Sequence, residues 1–393
     1  MIESSSLTLS RRQLLSAVPM LMAANAWSNS PRAARDGARP RGDTVVRSAE
    51  KPIASLPETV LVTGGTGFNG GWCIVELLRR GYTVRTTIRN VSKEAAVRAV
   101  VASAVDANDR LSFVAADLTL DEGWDAAVAG CDYVLHVASP LGGTDSANLQ
   151  TLLAPARDGT LRVLRAATAS GAKRVVMTSA ATVATPPMSS PDRISDETVW
   201  FDPNEPVDAY RHSKRLAERA AWEFMKTSGG TTTLTTVLPG AVFGPILSAD
   251  SASSTEIISR LLQGRVPANP RFGLQIVDVR DLVDLHIRAM THPLAAGERF
   301  MAVGDFMWMS DISRTLREQL GDAANKVPTR SMPDWIFRTL ALLDPSLRAM
   351  TPRLGKMHRH TAAKAERVLQ WHSRPAVTTL VDCAESLIAA NVV

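Results

Sequence analysis

Cysteine is scarce in this sequence of 393 residues, and long apolar runs are absent from it. The three cysteines, Cys73, Cys131 and Cys383, lie far apart and outside any Cys/His cluster, which excludes a disulfide framework and a zinc site. We interpret them as small buried apolar residues. No apolar run reaches the roughly 20 residues of a spanning helix, so no stable membrane span is expected. The composition of the whole chain, 45% apolar and 21% charged residues, is that of an ordinary globular protein.

The net charge of +5 is concentrated at the N-terminus. Residues 1–57 hold eight Lys/Arg and four Asp/Glu, so the other 336 residues carry a net charge of only +1. A nearly neutral body offers no electrostatic footprint for a phosphate backbone. The charge distribution therefore argues against nucleic acid as a partner.

The first residues resemble a twin-arginine export signal. Arg11 and Arg12 precede a short apolar run, and small side chains up to Ala26 suit signal peptidase. We therefore expect a signal peptide over residues 1–26, a flexible linker over 27–57 and a periplasmic location. A cytoplasmic protein with a disordered extension is the alternative, and N-terminal sequencing of the native protein would decide between them.

From residue 58 onward, β-branched apolar runs alternate with helical patterns. Such runs are typical of strands buried on both faces, and their alternation with helices predicts an α/β fold with a doubly wound parallel sheet. We predict a Rossmann domain over 58–245 and a smaller, mainly substrate-binding lobe over 246–393, which returns to the Rossmann domain around 274–290. The predicted strands are 59–63, 82–88, 111–115, 133–137, 174–178, 234–238 and 276–279, and a final helix is predicted at about 378–390.

A glycine-rich segment, TGGTGFNGG, follows the first predicted strand and opens a helix. Its Gly64, Gly67 and Gly70 are spaced three apart. In this context backbone N–H groups can reach a pyrophosphate at the start of the helix. The segment therefore predicts a dinucleotide site, to which Phe68 and Asn69 also belong.

The segment between Glu76 and Glu94 contains no acidic residue. An NAD site usually places there the carboxylate that binds the ribose 2′-hydroxyl. Arg89, just past the second strand, is instead placed to bind a 2′-phosphate, with Arg85 or Lys93 assisting. The sequence therefore predicts NADP(H) as the cofactor.

Two more segments follow predicted strands and are expected at the cofactor. Asp117 can accept a hydrogen bond from the adenine amino group while Leu118 packs on the ring. Val137, Ala138 and Ser139, within HVASP, follow the fourth strand at the carboxyl edge where such sheets bind ligands.

Tyr210 and Lys214 are four residues apart within YRHSK, on one face of a helix. A phenol with its ordinary pKa of about 10 is a poor acid at neutral pH. A neighbouring ammonium lowers that pKa and makes the phenol a usable proton donor. The lysine can also hold the nicotinamide ribose.

In their order along the chain, these motifs resemble the extended short-chain dehydrogenase/reductase superfamily: TGGTGFNGG, HVASP, VMTSA, YRHSK, LPGAVFGP and VDVRDL. Within it, the chain is similar to the branch of bacterial aldehyde/ketone reductases, dihydroflavonol 4-reductases and cinnamoyl-CoA reductases. The resemblance implies a Ser–Tyr–Lys catalytic group, with Tyr210 as acid/base and Lys214 as its activator. It also implies contacts from Pro239 and the second-strand arginines to the cofactor.

One segment departs from this pattern. Relatives carry TSSAGTV or SSSATV after the fifth strand, whereas this chain has TSAATV, which is one residue shorter than the first of these patterns. Aligning it with that pattern therefore requires a gap of one residue. If the gap falls within the strand, Ser179 is the catalytic serine; if it falls later, Ala180 stands in that place and Thr178, Ser179 or Thr182 must substitute. Ser179 is our prediction. Ala184 stands where dihydroflavonol reductases carry Asn, which argues against a flavonoid substrate.

These features predict NADPH-dependent reduction of an aldehyde or ketone, or the reverse alcohol oxidation, on an apolar or aromatic small molecule by a monomer or homodimer. The alternatives are a sugar-nucleotide epimerase or dehydratase that retains its cofactor, and a hydroxysteroid-type dehydrogenase. Export would favour a retained cofactor, since no soluble NADPH pool exists outside the cytoplasm. A non-catalytic dinucleotide-binding protein is disfavoured because the Tyr–Lys pair is intact.

Overall fold

A computed structural model describes residues 57–139, 149–187, 190–200, 209–250 and 255–393. The predicted signal peptide and all but the last residue of the predicted linker lie outside these residues, so both assignments stay predictions. Within the described part of the chain, none of the helices combines the length and the hydropathy that a membrane crossing requires.

Strands and helices alternate through the first two thirds of the described chain. In chain order the elements are β1 (Thr59–Val62), α1 (Phe68–Arg79), β2 (Thr83–Ile88), α2 (Glu94–Ala102), β3 (Leu111–Ala115), α3 (Trp124–Val128), β4 (Tyr133–His136), α4 (Leu149–Ala169), β5 (Arg174–Thr178), β6 (Ile194–Ser195), α5 (Ala209–Thr227), β7 (Thr233–Pro239), β8 (Ala241–Phe243), α6 (Glu256–Leu262), β9 (Gly273–Asp278), α7 (Val279–Thr291), β10 (Arg299–Ala302), β11 (Phe306–Trp308), α8 (Met309–Leu320), α9 (Asp334–Leu343), α10 (Pro345–Met350), β12 (Arg359–His360), α11 (Ala363–Leu369) and α12 (Ala376–Ala389).

Seven parallel strands form the central sheet, in the order β10–β7–β5–β4–β1–β2–β3. Helices α1 and α7 pack on one face, and α4 and α5 pack on the other. Alternate residues of β1 enter the two cores: Val60 and Val62 pack toward α1, and Leu61 packs toward α4. The strand order reverses between β1 and β4, and such a reversal opens a ligand crevice at the carboxyl edge of the sheet. The prediction of a doubly wound α/β fold is confirmed.

The edge strand β10 is not predicted by the sequence pattern. Its four residues begin with Arg299, and so short a run gives no clear apolar signal, although Phe300, Met301 and Ala302 are fully buried. The chain returns to the central sheet through α7 and β10, at residues 279–302, which overlaps the predicted range around 274–290 and extends beyond it.

The strand predicted at 276–279 is β9, which belongs to a second sheet of three strands, β11–β9–β8. This sheet and helices α6, α8 and α12 enclose the separate core of the smaller lobe. The two-residue strands β6 and β12 pair in parallel and join this lobe to the segment after β5. The lobe therefore lies beside the carboxyl edge of the central sheet.

All three cysteines are buried and free, as the sequence indicated. Burial raises the pKa of the Cys73 and Cys383 thiols to about 12, so neither is a thiolate at neutral pH.

Candidate active site

The glycine loop connects β1 to α1 in a tight turn. Gly64 has a φ of +75°, which disfavours any residue with a side chain. A Cβ on Gly70 would lie 2.2 Å from the carbonyl oxygen of Gly64, so α1 packs directly on the turn. The Gly67 N–H closes the turn on the same carbonyl at 3.0 Å. Glycine is therefore required at position 64 by the positive φ and at position 70 by the close approach of α1 to the turn.

The first turn of α1 has no side-chain cap on its N–H groups, because its N-cap residue is the exposed Gly67. Uncapped N–H groups at a helix start form a site for a phosphate. Asn69 is half-buried in this turn, whereas the side chain of Phe68 is buried in the core. Phe68 can therefore offer a ligand only its backbone.

The segment after β4 lines the other side of this loop. The Ala138 N–H donates to Thr63 Oγ1 at 3.0 Å, and that hydroxyl is also hydrogen-bonded to Nδ1 of His136 at 3.0 Å. Burial lowers the pKa of His136 to about 3, so the ring is neutral and structural. Val137, Ala138 and Ser139 are half-buried beside Gly64. Sequence reasoning missed Thr63, which holds the two strand ends together.

The basic side chains in β2 and just after it have different surroundings. Arg89 is exposed just past β2, and within the described residues its guanidinium has no hydrogen-bond or ion-pair partner. Lys93 forms an exposed ion pair with Asp250, at 3.0 Å. Arg85 stands in mid-strand, and its Nη1 donates to the carbonyls of Ala129 (2.6 Å) and Ala127 (3.2 Å) at the end of α3. The prediction that Arg85 assists at the cofactor does not fit, because its side chain caps a helix.

Asp117 and Leu118 follow β3 at the same edge of the sheet. The Asp117 carboxylate accepts hydrogen bonds from the Thr119 N–H and hydroxyl, both at 2.8 Å. The Thr119 N–H, and more weakly the Arg89 guanidinium, hold the pKa of Asp117 below its usual range. Leu118 is half-buried, and its carbonyl accepts from Arg162 of α4. The turn is thus fixed with an ionised carboxylate near Arg89.

Tyr210 and Lys214 lie on the first turns of α5, where Tyr210 is half-buried and Lys214 is only 6% exposed. The Lys214 Nζ donates to the carbonyl of Thr178, the last residue of β5, at 3.2 Å. Burial lowers the pKa of Lys214 to about 8, against the opposing effect of Glu218. A buried ammonium therefore lies at the carboxyl end of β5, beside the strand reversal.

The three hydroxyls that could orient a carbonyl are not equivalent. Thr178 Oγ1 is hydrogen-bonded to His286 on α7, on the opposite face of the sheet. Ser179 Oγ donates its one proton to Glu218 Oε2 at 2.6 Å, so a substrate oxygen would have to compete with this carboxylate for it. Thr182 Oγ1 is buried and has no hydrogen-bond partner within the described part of the chain. The arrangement favours Thr182 over Ser179 for this role, and the catalytic role of Ser179 stays a prediction.

Pro239 ends β7 at the same edge, buried and paired with Ala302 of β10. The structure thus brings most of the predicted residues to one edge of the central sheet. Those at this edge are Gly64, Gly67, Phe68, Asn69, Gly70, Arg89, Lys93, Asp117, Leu118, Val137, Ala138, Ser139, Tyr210, Lys214 and Pro239.

This fold and this edge define a dinucleotide-binding α/β protein with a glycine loop after β1 and a buried lysine at the carboxyl end of β5. The model of the NAD dependent epimerase/dehydratase family matches residues 60–304. The chain belongs to that family, as the motifs indicated.

Curated relatives are reductases by name. Cinnamoyl-CoA reductase 1 of Oryza sativa subsp. japonica is 35% identical over 265 residues, which cover 66% of this chain and 75% of that protein. The ketoreductase azaE of Aspergillus niger is 33% identical over 305 residues, which cover 72% and 88%.

Solved structures share the fold. Gre2 of Candida albicans, in complex with NADPH, superposes with a TM-score of 0.70 at 24% identity, covering 85% of this chain and 99% of that one. UDP-glucose 4-epimerase of Thermotoga maritima superposes with a TM-score of 0.66 at 18% identity, again covering 85% and 99%. Because yeast methylglyoxal/isovaleraldehyde reductase Gre2 and an epimerase both share this fold, the fold by itself does not choose between the two activities.

Proposed function

We propose that this protein is an NADPH-dependent reductase of aldehydes or ketones. The observation that carries the proposal is the Tyr210–Lys214 pair, whose buried ammonium stands at the carboxyl end of β5. The names of the relatives at 33–36% identity, which are reductases, support reduction over epimerisation.

The residues present fit a bound NADP(H). The close approach of Gly70 to Gly64 and the uncapped start of α1 suit the pyrophosphate. Arg89 suits a 2′-phosphate, because its guanidinium is exposed and has no partner within the described residues. Asp117, Leu118 and the 137–139 segment would flank the adenosine and the nicotinamide ribose. When bound, the nicotinamide supplies the hydride.

The chain itself supplies the proton. The Lys214 ammonium is charged at neutral pH, since its pKa of about 8 lies above that value. Its field lowers the pKa of a nearby phenol and makes Tyr210 a better acid. Tyr210 then donates its proton to the carbonyl oxygen of the substrate. The smaller lobe, which lies beside this edge, would exclude water from the reacting groups.

We assign the carbonyl-orienting hydroxyl to Thr182 instead of Ser179. A buried hydroxyl without a partner costs roughly 1–3 kcal/mol. A substrate oxygen would provide the acceptor that Thr182 lacks in the described chain.

Thr182→Val should lower kcat/KM for carbonyl reduction about tenfold to a hundredfold, since one hydrogen bond to the developing oxyanion is lost. Ser179→Ala is the matched variant. It should mainly lower the melting temperature, because the buried Glu218 loses one donor. Kinetics and thermal unfolding of both variants check this. A Ser179→Ala enzyme with a normal melting temperature and the larger loss of turnover would restore Ser179 to the catalytic group.

The function itself is tested by following NADPH oxidation with aromatic aldehydes, aliphatic ketones and sugar nucleotides. We expect turnover of at least one aldehyde or ketone and free exchange of the cofactor. An enzyme that keeps NAD(P) through gel filtration and converts only sugar nucleotides would instead be an epimerase or dehydratase.

A further inference from the structure

The carboxylate of Glu218 is fully buried on α5 and accepts hydrogen bonds from β7, from β10 and from the residue that follows β5. Its Oε1 accepts from Thr236 Oγ1 at 2.8 Å and from Arg299 Nε at 2.9 Å. Its Oε2 accepts from Ser179 Oγ at 2.6 Å. The indole N–H of Trp222, one turn further along α5, also reaches Oε1, at 3.3 Å. The carboxylate is therefore hydrogen-bonded on both oxygens and tied to β7, β10 and the residue that follows β5.

Glu218 follows Lys214 by four residues, so the two side chains lie on one face of the helix, with Cβ atoms about 5–6 Å apart. Four residues earlier on the same face is Tyr210. The helix face that carries the proton donor thus continues directly into the buried carboxylate.

The charges that face Lys214 are few within the described residues. Glu218 on its own helix raises the pKa of Lys214, and burial lowers it. From β4 the nearest titratable group is His136, which is neutral. Arg299, from β10, bonds Glu218 and offsets part of its field. Glu218 is therefore the negative charge that favours the ammonium at this place.

Arg299 has further partners, which fix its guanidinium in place beside Glu218. Its Nη1 donates to the carbonyls of Glu197 and Val199, and its guanidinium lies 3.8 Å from the ring centroid of Trp200. The Glu218 carboxylate is therefore fixed by the Arg299 guanidinium and by the hydroxyls of Ser179 and Thr236.

We propose that Glu218 is a positioning residue of the active site: it holds the Lys214 turn of α5 on the sheet, places a carboxylate one helical turn from the Lys214 ammonium, and withholds the Ser179 hydroxyl from the substrate. A group that served only packing would need no charge here, and an apolar side chain would avoid the cost of burying a carboxylate. The inference rests on the proposed function for its kinetic consequence, whereas the charge state of Lys214 can be measured without turnover.

The first experiment titrates Lys214 directly. The chain has only eight lysines, so carbon-13 labelling of lysine gives a simple NMR spectrum in which Lys214→Met identifies the signal. In the wild-type protein we expect Lys214 to titrate near 8. Glu218→Gln should lower that pKa by about one unit, since a partly screened charge one helical turn away contributes on this scale.

Glu223→Gln is the matched control, because Glu223 lies on the same helix but is exposed and paired with Lys226. It should leave the Lys214 titration unmoved. Glu218→Gln leaves Arg299 buried without its carboxylate, which can prevent folding. The double variant Glu218→Gln/Arg299→Met removes both charges and should still lower the Lys214 pKa, by less.

The second readout is the pH profile of kcat for carbonyl reduction. Reduction should slow as the pH rises through the Lys214 pKa, and Glu218→Gln should move this limb to lower pH by the same amount as the NMR titration. Unchanged Lys214 titration in both Glu218 variants would overturn the inference while leaving the reductase proposal intact. A wild-type protein that reduces no carbonyl, with the expected shift in Lys214, would overturn the function and leave the Glu218 assignment standing.

Discussion

Replacing Tyr210 by Phe should reduce kcat for carbonyl reduction by at least about 10²-fold, the usual scale for a general acid. The change removes one oxygen and keeps the ring, so the start of α5 should fold unchanged. Without the phenol, the carbonyl oxygen must take its proton from water, while the buried Lys214 ammonium has no acid to activate. Initial rates with saturating NADPH and one good aldehyde measure the loss.

Tyr133→Phe is the natural control, because the chain has only three tyrosines and Tyr133 lies at the start of β4, with its ring 5.3 Å from the Lys173 ammonium. It should retain turnover. Binding of NADPH should be nearly unchanged in Tyr210→Phe, since the phenol acts on the substrate. Undiminished reduction by Tyr210→Phe would falsify the acid–base scheme, whichever hydroxyl orients the carbonyl.

The central sheet could be predicted because most of its strands are buried on both faces. Six of them are short, largely apolar runs between turn residues, and that pattern alone predicts each of them. β10 escaped because it is four residues long and begins with Arg299, whose charge is neutralised by Glu218, 81 residues away in sequence. Only the folded chain shows that partner, so no local pattern could mark this strand.

The cofactor residues could be predicted wherever backbone shape decides the residue type. The glycine loop is such a case, because a side chain at Gly70 has no room. Arg85 was misplaced for the opposite reason: both faces of β2 are covered, so alternation does not say which face meets the cofactor. The Arg85 side chain is placed by its hydrogen bonds to the carbonyls at the end of α3, and sequence spacing does not reveal those contacts.

The catalytic hydroxyl illustrates the same limit. TSAATV offers three hydroxyls within five residues, and their types are equally suitable. What separates them is the engagement of Ser179 by Glu218, which is 39 residues distant. The sequence does carry one related signal. Tyr210, Lys214 and Glu218 recur every four residues, which places Glu218 on the same face of α5 as the two predicted catalytic residues.

Cofactor choice should depend on Arg89. A 2′-phosphate carries close to two negative charges, and a guanidinium can meet it with a forked pair of charge-assisted hydrogen bonds worth about 1.5–3 kcal/mol net. At about 1.4 kcal/mol per decade, this corresponds to a roughly tenfold to hundredfold preference for NADPH over NADH. Arg89→Ala should erase most of that preference by weakening NADPH binding, while NADH binding stays almost unchanged. Dissociation constants for both dinucleotides, from quenching of protein fluorescence, give the measurement.

Two neighbouring cations make this prediction specific to Arg89. Arg85→Ala should leave the NADPH preference intact and lower the melting temperature, since Arg85 bonds the carbonyls that end α3. Lys93→Ala should have a small effect, because the Lys93 ammonium is exposed and shares its charge with Asp250. The exposed guanidinium of Arg89, by contrast, has no competing partner within the described residues, so a phosphate would meet it without first breaking an ion pair. If the wild-type protein binds NADH as tightly as NADPH, the basic segment is only a solvated turn, and the assignment of Arg89 fails.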